Sequence, residues 1–179
     1  MELNGGNMWD IINNAFGKYH SQLTVVKYLM NYGFSVKEKY DNEFGIFCGS
    51  VEVRSNSLAM SVGVDKRVVI QVVTKIVNDK TLLGFFSKLT AIADLSSASS
   101  KLMNLGVIEI IPEDATKPGI ISNALKIIAD SGVGIRQVIV QDPIITEEPR
   151  AKIVTDTPLS PEIISKIKQS PCIKGLIIL

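Results

Sequence analysis

The residues best placed for ligand chemistry form one run, Glu113-Asp114-Ala115-Thr116-Lys117-Pro118-Gly119-Ile120-Ile121. Pro118 suits the first position of a helix, where a missing N–H costs nothing. The amides of Gly119, Ile120 and Ile121 would then point out of the helix N-terminus. That end carries a partial positive charge and takes up carboxylates and phosphates. Gly119 has no side chain, so a ligand can approach its backbone. Asp114 offers an acceptor to an ammonium group, and Lys117 lies in the same turn. An α-amino acid carries both charges, and this turn has a partner for each. The competing reading is local: Thr116 or Asp114 caps the helix and Gly119 packs.

A second constellation lies in residues 55–75. Leu58, Ala59, Val62, Gly63, Val64, Val69 and Val72 fall at the spacing of a helix-turn-helix. Alanine lets two helices cross closely, glycine takes the turn, and the valines fill the angle between them. Asp65 would cap the second helix. Lys66, Arg67, Ile70, Gln71, Thr74 and Lys75 then form its outward face. In a helix-turn-helix that face enters the major groove. Arg67 and Gln71 are residue types that read guanine and adenine edges, Lys66 and Lys75 suit phosphates, and Thr74 lies among them. Between positions 65 and 88 the bases Lys66, Arg67, Lys75, Lys80 and Lys88 outnumber the acids Asp65 and Asp79. The alternative is a helical core that touches no DNA, with Val68 and Ile70 as a protein contact.

The elements that must position these residues change in period along the chain. Helical spacing covers residues 8–16 and 22–31, with Ser21 as cap and Gly33 as stop. Asp41-Asn42 reads as a turn. Alternating runs at 44–48 and 51–54, split by Gly49-Ser50, predict a hairpin. Helices are expected at 56–62, 66–78 and 82–89. A serine-rich stretch around 94–101 marks a boundary, with a linking helix over 91–103 as the alternative. Beyond it come a strand at 107–111, a helix at 118–131, a strand at 133–141, a loop at 142–149, a strand at 151–155, a helix opened by Ser160-Pro161, and a strand at 173–179. This β-α-β-β-α-β order predicts a split βαβ, ferredoxin-like sheet with both helices on one face. The other face still carries apolar residues, which predicts association with a partner.

Composition sets the remaining limits. The chain has 179 residues, 46% hydrophobic and 21% charged, with a formal net charge of +1. That excludes a disordered chain and a wholly basic nucleic-acid coat protein. Cys48, Cys172 and His20 cannot build a zinc site, and two distant cysteines argue for a reducing compartment. No run reaches the length of a membrane helix, and residues 1–10 lack the pattern of a signal peptide, so a cytoplasmic chain without a membrane partner is expected. His20 reads as a surface histidine and Glu147-Glu148 as a solvated pair. No catalytic constellation, metal site or cofactor motif is found, and an enzyme is not expected.

The order of elements in the second half, the turn Asp114…Pro118-Gly119-Ile120, and Gly134-Ile135-Arg136-Gln137 resemble an ACT domain. With Gly63-Val64-Asp65-Lys66-Arg67-Val68-Val69, Gly106-Val107-Ile108-Glu109-Ile110 and Asp142-Pro143, the chain from about 8 to 179 is similar to archaeal proteins described as predicted regulators of amino acid metabolism with an ACT domain. The resemblance implies an α+β protein with three parts: a helical (winged) helix-turn-helix-like domain at 1–89, a linker at 90–104 and a ferredoxin-like ACT domain at 105–179. It implies an amino acid ligand held by Asp114, Lys117, Pro118, Gly119 and Ile120 together with Ile135, Arg136 and Gln137. It implies a homodimer or higher homo-oligomer through the ACT domain, and double-stranded DNA met by Lys66, Arg67, Gln71, Thr74 and Lys75. The alternative is a regulatory subunit of an amino acid biosynthetic enzyme that binds no DNA. Where these domains commonly carry Asn, this chain has Gly134.

Overall fold

A computed structural model describes residues 7–41, 43–98 and 103–179. Asn42, half of the expected 41–42 turn, and residues 99–102 of the expected boundary lie outside the described residues, as do residues 1–6. The chain is of mixed α+β class and divides into two compact units, 1–92 and 93–179.

In the first unit, α1 (Met8–Phe16) and α2 (His20–Tyr32) precede three short strands, β1 (Ser35–Glu38), β2 (Phe44–Cys48) and β3 (Val51–Val53). Then follow α3 (Ser55–Val62), α4 (Lys66–Asn78) and α5 (Lys80–Phe86). Ser21 does not cap α2: the helix already begins at His20, and Tyr19 at the cap position makes no side-chain cap bond. The expected hairpin is the central and third strand of an antiparallel sheet ordered β1-β2-β3. Its first strand leaves no period in the sequence, since only Ser35 and Val36 of β1 are buried. Ile12, Phe16, Val25, Leu29, Ile46, Leu58, Val69, Val72, Ile76 and Phe86 form the core of the unit.

The second unit has the expected β-α-β-β-α-β order: β4 (Gly106–Pro112), α6 (Ile120–Asp130), β5 (Ile135–Val140), β6 (Ala151–Thr155), α7 (Pro161–Lys168) and β7 (Ile173–Ile178). All neighbours are antiparallel and the strand order is β5-β6-β4-β7. Alternation along the strands separates two faces. Ile108, Ile110, Ala151 and Ile153 join Ala124 and Ile128 of α6 and Ile167 of α7 in the main core. Val107 and Val154, which pair across β4 and β6, lie on the opposite face and form a small separate cluster with Leu105.

The sequence predicts that a partner covers this second face. Part of that work falls to the chain itself. Residues 93–98, read from the sequence as linker, belong to the second unit. Gln137 Nε2 donates to Ala93 O at 2.7 Å, Gln137 Oε1 accepts from Leu95 N at 2.9 Å, and Lys152 Nζ donates to Asp94 Oδ2 at 2.9 Å.

Candidate functional site

Helix α6 starts at Ile120, two residues later than the sequence predicts, and Gly119 rather than Pro118 sits at its boundary. Gly119 has φ +97°, a conformation that resists continuation of the helix and that L side chains rarely adopt. Pro118 therefore precedes the cap. Gly119 O accepts the first helical bond from Asn123 N at 3.0 Å, and Ser122 Oγ donates to the same oxygen at 3.0 Å. A helix leaves its first amides without intrahelical partners, and here those belong to Ile120, Ile121 and Ser122.

Asp114 closes the turn before the helix. Its Oδ1 accepts from Thr116 Oγ1 at 2.6 Å and from Thr116 N at 3.0 Å. These two bonds, helped by the charge of Lys117, hold the Asp114 carboxyl below its ordinary value. The turn-capping role is therefore present, on the residue expected to meet an ammonium group.

A cavity of about 200 Å³ opens beside the α6 N-terminus. Ile110, Ala115, Lys117, Gly119, Ile120, Val140 and Arg150 are among its lining residues, which are mostly apolar. A wider groove of about 590 Å³ adjoins it, walled by Glu113, Asp114, Glu147, Glu148 and Lys174, with Arg150 again at its edge. Arg150 thus stands between an apolar pocket and an acidic groove. Its Nη1 donates to Glu109 Oε2 at 2.9 Å, and Nη2 lies 3.6 Å from Glu148 Oε2. Glu109 above all strengthens the guanidinium's hold on its proton. Among the described residues no group of three or more His, Cys, Asp or Glu is placed to hold a metal ion.

Of the ligand residues expected from the sequence, the structure brings Lys117, Gly119 and Ile120 to the pocket and Asp114 to the groove beside it. Pro118 lines neither. Ile135, Arg136 and Gln137 lie at the far end of β5, while Val140 at its other end lines the pocket. At about 3.3 Å per residue the separation is roughly 10–17 Å, too far for one amino acid to touch both ends. Arg136 occupies an irregularity in the β5–β6 register, and the Gln137 amide group is taken up by residues 93 and 95.

The outward face of α4 is also rearranged. Leu58, Ala59, Val69 and Val72 are buried, Gly63 turns with φ +75°, and Asp65 Oδ1 accepts from Arg67 N at 2.7 Å. Lys66 and Arg67 are exposed. Lys75 is not. Its Nζ donates to Ala15 O at 3.0 Å and to Gln22 Oε1 at 2.8 Å, and it lies 5.5 and 5.3 Å from the ring centres of Phe16 and Tyr19. Gln71 Oε1 accepts from Gln22 Nε2 at 3.1 Å, and Thr74 Oγ1 donates back to Ile70 O at 2.9 Å. Three of the five expected DNA contacts are thus engaged by the unit itself. Ile70 and Met60, by contrast, are exposed.

Arg150, Glu147 and Glu148 join the site without a signal in the sequence. Arg150 meets Glu109 from 41 positions away, and no local spacing marks such a pair. The Glu147-Glu148 run reads as a solvated pair, because only the sheet topology carries it to the turn before α6.

No protein-family model matches the chain, and no curated protein matches it. Among solved structures, one described as the crystal structure of PH0061 aligns over 89% of this chain and 89% of its own, at 12% identity and a TM-score of 0.26. That likeness is too weak to establish a common fold. No helix among the described residues is long and apolar enough to cross a membrane.

Proposed function

We infer that this chain is an amino-acid-responsive regulator whose second unit is an ACT-type, ferredoxin-like sensor and whose first unit is a helix-turn-helix-like reading head. The observation that carries this reading is the pocket at the α6 N-terminus, with free helix amides and Arg150 on one side and an acidic groove on the other. A carboxylate fits the amides and the guanidinium. An ammonium group fits the groove of Glu113, Asp114, Glu147 and Glu148. A small apolar side chain fits the space lined by Ile110 and Val140. The activity we propose is binding.

The residues at 135–137 enter the same site only from a second copy, which is how a dimeric sensor would use them. Exposed Ile135 and Val140 on β5 give that edge the apolar character of a contact. DNA would be met by Lys66 and Arg67 in the first turn of α4. A second reading, a regulatory subunit that docks on an enzyme through α4, is favoured by the internal use of Lys75 and Gln71 and by exposed Ile70.

Thermal melts of the full chain against the twenty amino acids test the sensor. A true ligand at a hundred times its dissociation constant adds about 2.7 kcal/mol per site. It should do so for wild type and not for Gly119→Val. If no amino acid raises the melting temperature, the sensor reading fails for the standard set.

A further inference from the structure

The open face of the second sheet carries a row of charges that runs from Arg150, immediately before β6 and beside the pocket, to residues 93–98. Arg150 lines the pocket and binds Glu109 at 2.9 Å. Glu109, 9% exposed, stands directly opposite Lys152 in the β4–β6 register. Lys152 in turn binds Asp94 at 2.9 Å and so holds the segment in which unit 1 passes into unit 2. Directly opposite residues in an antiparallel pair have Cβ atoms roughly 4.5–5.5 Å apart. Glu109 is therefore within reach of two cations, and Lys152 within reach of two carboxylates.

We propose that this row, Arg150–Glu109–Lys152–Asp94, couples the pocket to residues 93–98, so that drawing Arg150 into the pocket frees Glu109 to take Lys152 from Asp94 and loosens the segment. The coupling to a ligand rests on the pocket being an amino acid site; the row itself does not. A nearly buried carboxylate that loses its cation is drawn to another. The cation across the strand pair is Lys152. With Lys152 shared, the segment keeps the Gln137 clasp but loses its ion pair. A ligand that prefers Arg150 turned to the pocket then shifts the segment by its differential affinity for the two arrangements.

With its ion pair gone, the segment is held to the sheet by Gln137. Held by Gln137 and Lys152, residues 93–98 belong to the second unit and add nothing to the span after Ile92. The row thus gives a ligand in the pocket a means to loosen residues 93–98, where unit 1 passes into unit 2.

Hydrogen exchange of the Leu95 and Ser96 amides in the full chain tests this without any ligand. Arg150→Gln should speed their exchange by about two- to five-fold, the range of a partly exposed ion pair. Adding Glu109→Gln to that variant should restore the wild-type rate, since nothing then competes for Lys152. Asp94→Asn sets the fully loosened limit. The amides of Ile108 and Ile110 report whether the sheet is intact. If it is not in Arg150→Gln, Arg150→Lys replaces it, with a smaller loosening that Glu109→Gln again reverses. No change in Arg150→Gln, or loosening that Glu109→Gln fails to reverse, overturns the proposal. Any amino acid that stabilises the chain in melts should loosen the segment in wild type and not in Glu109→Gln; a ligand that loosens neither overturns the coupling. If no amino acid binds, the pocket reading fails while the variants still judge the row.

Discussion

Replacing Lys75 with methionine should make the first unit easier to unfold, and should leave the salt dependence of any DNA binding unchanged. The substitution keeps most of the apolar stem and removes the ammonium group. Two bonds go with it, to Ala15 O at 3.0 Å and to Gln22 Oε1 at 2.8 Å, and so does the cation over Phe16 and Tyr19. Ala15 is the next-to-last residue of α1, where a cation also favours the negative end of the helix. Gln22 is 7% exposed and would be left with one partner, Gln71. Hydrogen bonds to a charged donor are worth about 1.5–3 kcal/mol each when nothing replaces them. Water reaches part of this site, so a destabilisation of about 2 kcal/mol for the pair is expected. For a unit of this size that lowers the midpoint by about 8–16 °C. Trp9 is the chain's one tryptophan and packs in the first unit, so its fluorescence follows that unit alone. Lys66→Met, at an exposed position, should change stability by no more than about 0.5 kcal/mol. A Lys75→Met protein that melts like wild type yet shows a shallower salt dependence on DNA would refute the internal role.

Changing Lys66 and Arg67 together to alanine should weaken DNA binding and lower the salt slope by about one unit for each phosphate no longer neutralised, read in gel-shift titrations at several salt concentrations. Gly119→Ala should lower stability by about 1–2 kcal/mol in a denaturant titration, although the space at its Cβ is open, because the φ of +97° is strained for any side chain. Burial pushes the Asp94 carboxyl up, yet bonds from Lys152 and Ser96 lower it from 3.8 to about 2. Since the folded value is depressed, its contribution to stability is complete above about pH 4 and lost as the pH falls through 2. Carboxyl NMR titration should find this value in wild type and a higher one in Lys152→Ala.

The element order of the second half is legible because its strands are β-branched runs and its helices carry apolar stripes, as at Ile120, Ala124 and Ile128. The turn of α3 into α4 is legible from Gly63 and Asp65, whose roles are local. What escapes is long-range. Lys75 reads as a surface base because the acceptors that hold it come from α1 and α2. Gln137 reads as a ligand contact because nothing nearby announces Ala93 and Leu95 as its partners. The offset of α6 by two residues follows from Gly119, whose left-handed backbone outweighs the preference of Pro118 for a first helical position. Arg150 joins the site only through the pairing of β6 with β4.

Amide NMR of the full chain, titrated with each amino acid, reads the binding site at the α6 N-terminus residue by residue. Saturable shifts are expected for Gly119, Ile120, Ile121 and Ser122, with the Arg150 side chain moving in parallel. Shifts at none of these positions, or shifts confined to Ile135, Arg136 and Gln137, would contradict it.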